Sequence, residues 1–154
     1  MSLQHTHPDA RSLLRSVGLR ITSPRVAVLE ALQAQPHSTA DTVAVRARRM
    51  LGSVSTQAVY DVLRVCVSHG LVRRIEPAGS PALYETRAGD NHHHLVCRNC
   101  GNVTDIDCAV AAAPCLVPTE EHGFVIDEAE VVFWGYCSSC QSAAADTAAA
   151  HSVP

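Results

Sequence analysis

Apolar residues recur at three- and four-residue spacing through roughly the first seventy positions, then shift toward strand-like alternation. In residues 9–17, Ala10, Leu13, Leu14 and Val17 share one helical face, and Gly18 ends the turn. Ser23-Pro24 opens a second helix, with Ser23 as N-cap and Pro24 at the first helical position. Its apolar positions are Val26, Val28, Leu29 and Leu32, and it stops before Pro36. Thr39 to Thr42 cap a third helix, with Val43, Ala47, Met50 and Leu51 inward and Arg46, Arg48 and Arg49 outward. After a Gly52-Ser53 turn, Ser55-Thr56-Gln57 caps a fourth, which carries Ala58, Val59, Val62, Leu63 and Cys66 and ends near His69-Gly70. Residues 71–75 and 83–85 read as strands, and the Pro- and Gly-containing residues 76–81 as their hairpin turn. Short helices, the last after a tight turn, followed by a hairpin predict a winged helix-turn-helix.

The pattern changes at Gly89-Asp90, where a hinge is expected. Beyond it, residues 94–97, 102–106 and 124–134 read as strands, the last alternating through Phe124, Ile126, Val131 and Phe133. Pro114 and Pro118 confine any helix between them and Gly123 to a short piece, residues 119–122. The Ala- and Ser-rich residues 141–154 are expected to fray. The fold class is therefore α+β in two domains, residues 1–88 and 89–154.

Composition sharpens this division. At 154 residues and 47% apolar, the chain can bury a core without disulfides. No run approaches the roughly 20 apolar residues of a membrane span. The polar first nine residues lack a signal-peptide core, so a cytoplasmic protein with no membrane partner is expected. The net charge of −3 conceals an asymmetry: eleven Arg face six acids in residues 1–88, and one Arg faces nine acids in residues 89–154. A basic helical half points to a polyanion such as double-stranded DNA.

Six of the seven cysteines lie in the acidic half. Cys97-x-x-Cys100 followed by Gly101, and Cys137-x-x-Cys140, are two matched pairs. Each two-residue gap lets both sulfurs reach one ion, and two pairs complete a tetrahedral shell suited to structural Zn²⁺. Such a shell is closed, so it holds structure rather than performing catalysis. Upstream of the first pair, His92 and His94 of an extended segment point to one side and His93 to the other. His37, Glu85 and Asp105 are further nitrogen and oxygen donors. Such a mixed set suits Fe²⁺, Mn²⁺, Zn²⁺ or Ni²⁺ better than Cu(I). Chain position alone does not bring these residues together, and by itself three consecutive histidines also suit a polar linker. Cys66 shares an apolar helix face and reads as a core thiol. Cys108 and Cys115 are candidate redox thiols, with exposure and thiol pKa deciding.

For base contacts the N-terminal end of the fourth helix offers Ser55, Thr56, Gln57 and Tyr60, with Arg64 one turn later. Gln pairs with adenine and a Tyr ring packs on thymine methyls, so an A·T-rich operator is expected. One such helix reads few base pairs, which favours a homodimer on a palindrome, with residues 124–134 as its interface element.

Several strings together resemble the ferric uptake regulator family over about residues 10–140. They are Gly18-Leu19-Arg20-Ile21-Thr22 with Pro24-Arg25, Gln57-Ala58-Val59-Tyr60-Asp61-Val62-Leu63, Gly70-Leu71-Val72, and residues 92–101 from His92 to Gly101. GDNHHHLVC at residues 89–97 and DCAVAAAPC at residues 107–115 are similar to its actinobacterial branch of catalase-peroxidase repressors. The resemblance implies a metal-dependent DNA-binding repressor, a dimer of winged-helix and α/β dimerisation domains that responds to iron and peroxide. It implies structural Zn²⁺ at the four paired cysteines and a regulatory ion, Fe²⁺ first and Mn²⁺ or Zn²⁺ as alternatives, on His37, Glu85, His92, His94 and Asp105. It implies that Arg20 enters a minor groove and that Arg25 contacts phosphate. Asp61 departs from the pattern, since many relatives carry Arg there. Asn91 and Ala129 stand where histidines complete a further site in some members, so that site is not expected. Within the family, a regulator of zinc or another metal's uptake is the alternative. An enzyme has no serine elbow, phosphate loop or HExxH to rest on, and a metal-storage protein needs no Arg-rich winged helix.

Overall fold

The computed structural model describes residues 8–86, 91–110 and 114–143 and forms two compact units, Met1–Gly89 and Asp90–Pro154. The hinge expected at Gly89-Asp90 and the tail beyond residue 143 lie outside the described residues.

The first unit runs α1 (Ala10–Ser16), α2 (Ser23–Ala34), α3 (Ala40–Leu51), α4 (Thr56–Ser68), β1 (Arg73–Ile75) and β2 (Leu83–Glu85). Its helices start where side chains satisfy their open backbone N–H groups: Asp9 accepts from Ser12 N, Thr39 from Thr42 N and Ser55 from Ala58 N. The second helix differs from expectation. Ser23 is already helical and Thr22 is the N-cap, without a side-chain cap bond, so Pro24 and its preset φ initiate the helix. Leu14, Val28, Leu29, Leu32, Val43, Val59 and Leu63 interlock in one core. Met50 was expected inward but is exposed, since Ala40, Val43, Ala44 and Ala47 already fill the inner stripe of α3. Gly52, at φ 80°, lets the chain turn sharply from α3 into α4. The wing is antiparallel, with Arg73 opposite Glu85 and Ile75 opposite Leu83.

Cys66 is fully buried on α4, and burial pushes its thiol up to about 11, opposed by the positive charge of Arg25. A raised thiol pKa stabilises the fold below its unfolded value of about 9, and that stability is lost as pH climbs toward 11. Cys66→Ala should therefore remove an alkaline slope amounting to on the order of 2 kcal/mol. Urea denaturation of both proteins between pH 8 and pH 11 checks this; parallel pH profiles would contradict it.

The second unit holds β3 (His92–Cys97), β4 (Val103–Asp107) and β5 (Val132–Gly135), ordered β4-β3-β5. β3 and β4 form an antiparallel hairpin, with Gly101 at φ 71° in its turn. β5 pairs with β3 in parallel, from His94 opposite Val132 to Cys97 opposite Gly135. Two expectations are corrected. The strand expected over residues 124–134 shortens to β5, Val132–Gly135, whereas Phe124 and Val125 are 72% and 95% exposed. Residues 119–122 are not helical, while residues 138–143 are. Among the described residues no helix is long and apolar enough to cross a membrane.

Candidate metal centres and nucleic-acid face

Because β3 and β5 are parallel neighbours, their C-terminal ends lie side by side, and a C-x-x-C pair follows at each end. Arg98 N donates to Gly135 O at 2.8 Å, and the Arg98 guanidinium lies 5.3 Å from the Trp134 ring centre, fixing one knuckle against the other strand. The Cys97, Cys100, Cys137 and Cys140 sulfurs lie within 4.8 Å of one another, with Cys100 and Cys137 3.7 Å apart. A tetrahedral Zn²⁺ with bonds of about 2.3 Å spaces its sulfurs by roughly 3.8 Å, so the four thiols fit one ion. Backbone N–H groups of Cys100 and Cys137 aim at the Cys97 sulfur and bring its thiol down to about 6. The Asn102 N–H acts the same way on Cys100, but the Cys97, Cys137 and Cys140 thiols outweigh it and hold Cys100 at about 11. Asn99 Nδ2 donates to Cys140 Sγ at 3.2 Å, a contact that spacing arguments did not anticipate. Both knuckles therefore stand at strand ends, Cys97 closing β3 and Cys137 following β5.

In the first unit an isolated antiparallel bridge joins Ser38 to Tyr84, with Ser38 N donating to Tyr84 O at 3.3 Å and Tyr84 N to Ser38 O at 2.9 Å. Antiparallel pairing makes the flanking residues neighbours, which brings His37 to Glu85 at the end of the wing. Nε2 of His37 is 2.9 Å from Oε2 of Glu85, whose carboxylate is fully buried. His37 holds φ at 54°, an uncommon conformation for a residue with a side chain. In the second unit the β3–β4 register sets His94 directly opposite Asp105, so both project from one face, with His92 on the same face two residues earlier. His92 Nε2 and His94 Nε2 lie 3.8 and 3.6 Å from Asp105 Oδ1, and the two imidazoles meet edge to face at 4.9 Å.

The opposite face of β3 carries His93, whose ring meets Phe133 edge-on at 6.4 Å. Cys115 Sγ is 3.2 Å from His93 Nε2, and these atoms and Cys108 Sγ all lie within 4.8 Å. All seven cysteines are thiols. Burial, followed by the Cys108 thiol, raises the pKa of Cys115.

Along α4 the stripe of Val59, Leu63 and Cys66 is buried, flanked by half-buried Val62 and Val67. Ser55, Thr56, Gln57, Tyr60 and Arg64 are all exposed, as is Arg20. Asp61 accepts from Gln57 Nε2 and pairs with Arg64, each at 3.1 Å. Half-buried Arg25 donates to the Arg20 carbonyl at 2.8 Å. Sequence reasoning missed Arg48, which donates to Val54 O and to Thr56 Oγ1 and so splints the turn into α4.

The ferric uptake regulator family model matches residues 16–133. Transcriptional regulator FurA of Mycobacterium tuberculosis (strain ATCC 25618 / H37Rv) is 53% identical over 144 residues, 94% of this chain and 97% of that protein. Ferric uptake regulation protein 1 of Mycolicibacterium fortuitum is 56% identical over 126 residues, 82% of this chain and 78% of that one. Among solved structures, the ferric uptake regulator from Pseudomonas aeruginosa with manganese is similar at 31% identity and a TM-score of 0.64, over 84% of this chain and 98% of its own.

Proposed function

The chain belongs to the ferric uptake regulator family of transcriptional regulators, and on that premise we propose that it is a homodimeric, metal-dependent repressor. Its regulatory ion is Fe²⁺, its targets are peroxide-defence genes, catalase-peroxidase among them, and it acts in the cytoplasm. One observation supports the metal dependence: each unit holds its own compact group of nitrogen and oxygen donors, and the proposal joins the two groups in one ligand set. The first unit holds His37 against Glu85 at 2.9 Å, and the second holds His92 and His94 against Asp105 within 3.8 Å. The buried Glu85 carboxylate, held against His37, offers an anionic oxygen donor that suits a divalent cation.

Bound Fe²⁺ supplies positive charge at neutral pH and reducing equivalents toward peroxide. The residues supply the coupling. Ligands contributed by both units restrict their mutual freedom, and the resulting bias is no larger than the difference in ion affinity between restricted and unrestricted forms. Neutralising Glu85 and Asp105 also removes negative charge that opposes approach to phosphate. Mn²⁺ or Zn²⁺ satisfies the same donors, and metal analysis of protein purified without chelator distinguishes them. Structural Zn²⁺ belongs to the four-cysteine cluster, whose donor set and spacing fit it.

Exposed Phe124, Val125, Leu116 and Val117 on the second unit support a second copy of the chain as the partner. Two recognition helices about 34 Å apart then read an A·T-rich palindrome. Arg20 enters the minor groove and Arg25 grips a phosphate, while Ser55, Thr56, Gln57 and Tyr60 meet base edges. Cys108 and Cys115 contribute a peroxide arm: two thiols reduce one hydroperoxide to alcohol and water and are left as one disulfide.

Footprinting on the promoter beside the protein's own coding region, with and without Fe²⁺, tests the proposal; absence of a metal-dependent footprint there and on catalase-peroxidase promoters would refute it. On the operator found, Gln57→Ala should cost about 1–3 kcal/mol and relax preference at one A·T pair, while Arg64→Ala should lower the salt slope by about one. Competition binding at several salt concentrations checks both; an unchanged base preference in Gln57→Ala would remove that residue from the base contacts.

A further inference from the structure

We propose that His93, Cys108 and Cys115 form a further metal site that takes one Zn²⁺ in the reduced protein. Strand parity builds it. His93 projects from the face of β3 opposite to His92 and His94, and its partner Ile106 on β4 puts Cys108, two residues on, toward that same face. Cys115 then meets the imidazole, with Sγ 3.2 Å from Nε2. Zn–S bonds of about 2.3 Å and a Zn–N bond of about 2.0 Å span tetrahedral edges of roughly 3.5–3.8 Å. Since all three ligand atoms already lie within 4.8 Å, closing the shell needs shifts of no more than about 1 Å. On coordination both thiols pass their protons to solvent, and the Phe133 edge keeps the His93 ring in place.

The donor set decides the occupant. One imidazole and two thiolates are softer than the nitrogen and oxygen set on the other face, which separates Zn²⁺ from Fe²⁺ between two sites on one strand. Three protein ligands leave a fourth position for water or a small anion, unlike the closed shell of the four cysteines. The site shares no residue with the proposed regulatory site and stands whether or not that reading holds.

Cobalt is the probe. Reduced, full-length protein with its four-cysteine cluster filled by Zn²⁺ is titrated with Co²⁺ in the absence of oxygen. Thiolate-to-cobalt charge-transfer absorption should grow in with one equivalent, because the nitrogen and oxygen set offers no sulfur. Cys108→Ser with Cys115→Ser should abolish that absorption while the clustered zinc stays. His93→Gln keeps every thiol and should weaken the cobalt affinity at least about a hundredfold, beyond the roughly 10- to 100-fold that the loss of an outer-shell partner costs. Should the double variant also lose its clustered zinc, His93→Gln decides alone. No such absorption in the zinc-loaded wild type, or an undiminished cobalt affinity in His93→Gln, would overturn the site.

Discussion

Cys97→Ser is expected to release one zinc per chain, to unfold the second unit and to dissolve the dimer, while the helices of the first unit persist. Magnitudes decide the outcome. Structural zinc contributes an apparent 10–16 kcal/mol or so in small zinc domains, and a whole domain is stable by only about 5–15 kcal/mol. The second unit has little else to hold it: in β4 and β5 every residue is at least partly exposed, and among its described residues the buried apolar side chains are Val96 and Cys97 alone. Losing one sulfur from four therefore outweighs the remaining interactions. Cys140→Ser should behave alike, because its sulfur closes the same shell from the other knuckle. Zinc analysis, far-ultraviolet dichroism and sedimentation of both variants check this, and a stable zinc-free dimer would contradict it.

His92→Ala combined with His94→Ala is expected to erase the metal dependence of operator binding and leave zinc, fold and dimer in place. These two buried imidazoles sit on Asp105, away from the clustered sulfurs. Alanine at both positions strips the second unit's nitrogen ligands and leaves one carboxylate. Coupling between an effector and its ligand is typically 1–3 kcal/mol, or about 5- to 150-fold in affinity. In the double variant that ratio should fall to about one. The metal-free affinity should match that of metal-free wild type, since neither histidine belongs to the DNA face. Binding measured by fluorescence anisotropy on the footprinted operator gives both numbers; a retained metal response would remove these histidines from the switch.

Local chemistry was readable and long-range geometry was not. Thr39 and Ser55 announced α3 and α4 because capping is a bond between residues three apart. The two C-x-x-C pairs announced one cluster because each knuckle is local and four sulfurs suit one ion. The strand pairing that unites them was hidden, since a parallel neighbour nearly forty residues away leaves no periodic mark. Alternation over residues 124–134 misled: it records apolar positions, and Phe124 and Val125 turn theirs toward solvent. His37 and Glu85 are forty-eight positions apart, and two backbone hydrogen bonds through Ser38 and Tyr84 bring them together without any pattern in the sequence. For His93 the parity argument held, since an extended chain does point it away from His92 and His94. Cys115 lies beyond the end of β4 at Asp107, where strand periodicity no longer applies.

The central claim is that one ion and one operator strengthen each other's binding, and reciprocity tests it most directly. Operator affinity of the zinc-loaded wild type is measured without oxygen, with saturating Fe²⁺ and with none; Fe²⁺ affinity is then measured with and without saturating operator. Linkage requires the two ratios to be equal, and the account predicts both to be well above one. An operator affinity that Fe²⁺ leaves unchanged, with an Fe²⁺ affinity that the operator leaves unchanged, would contradict it.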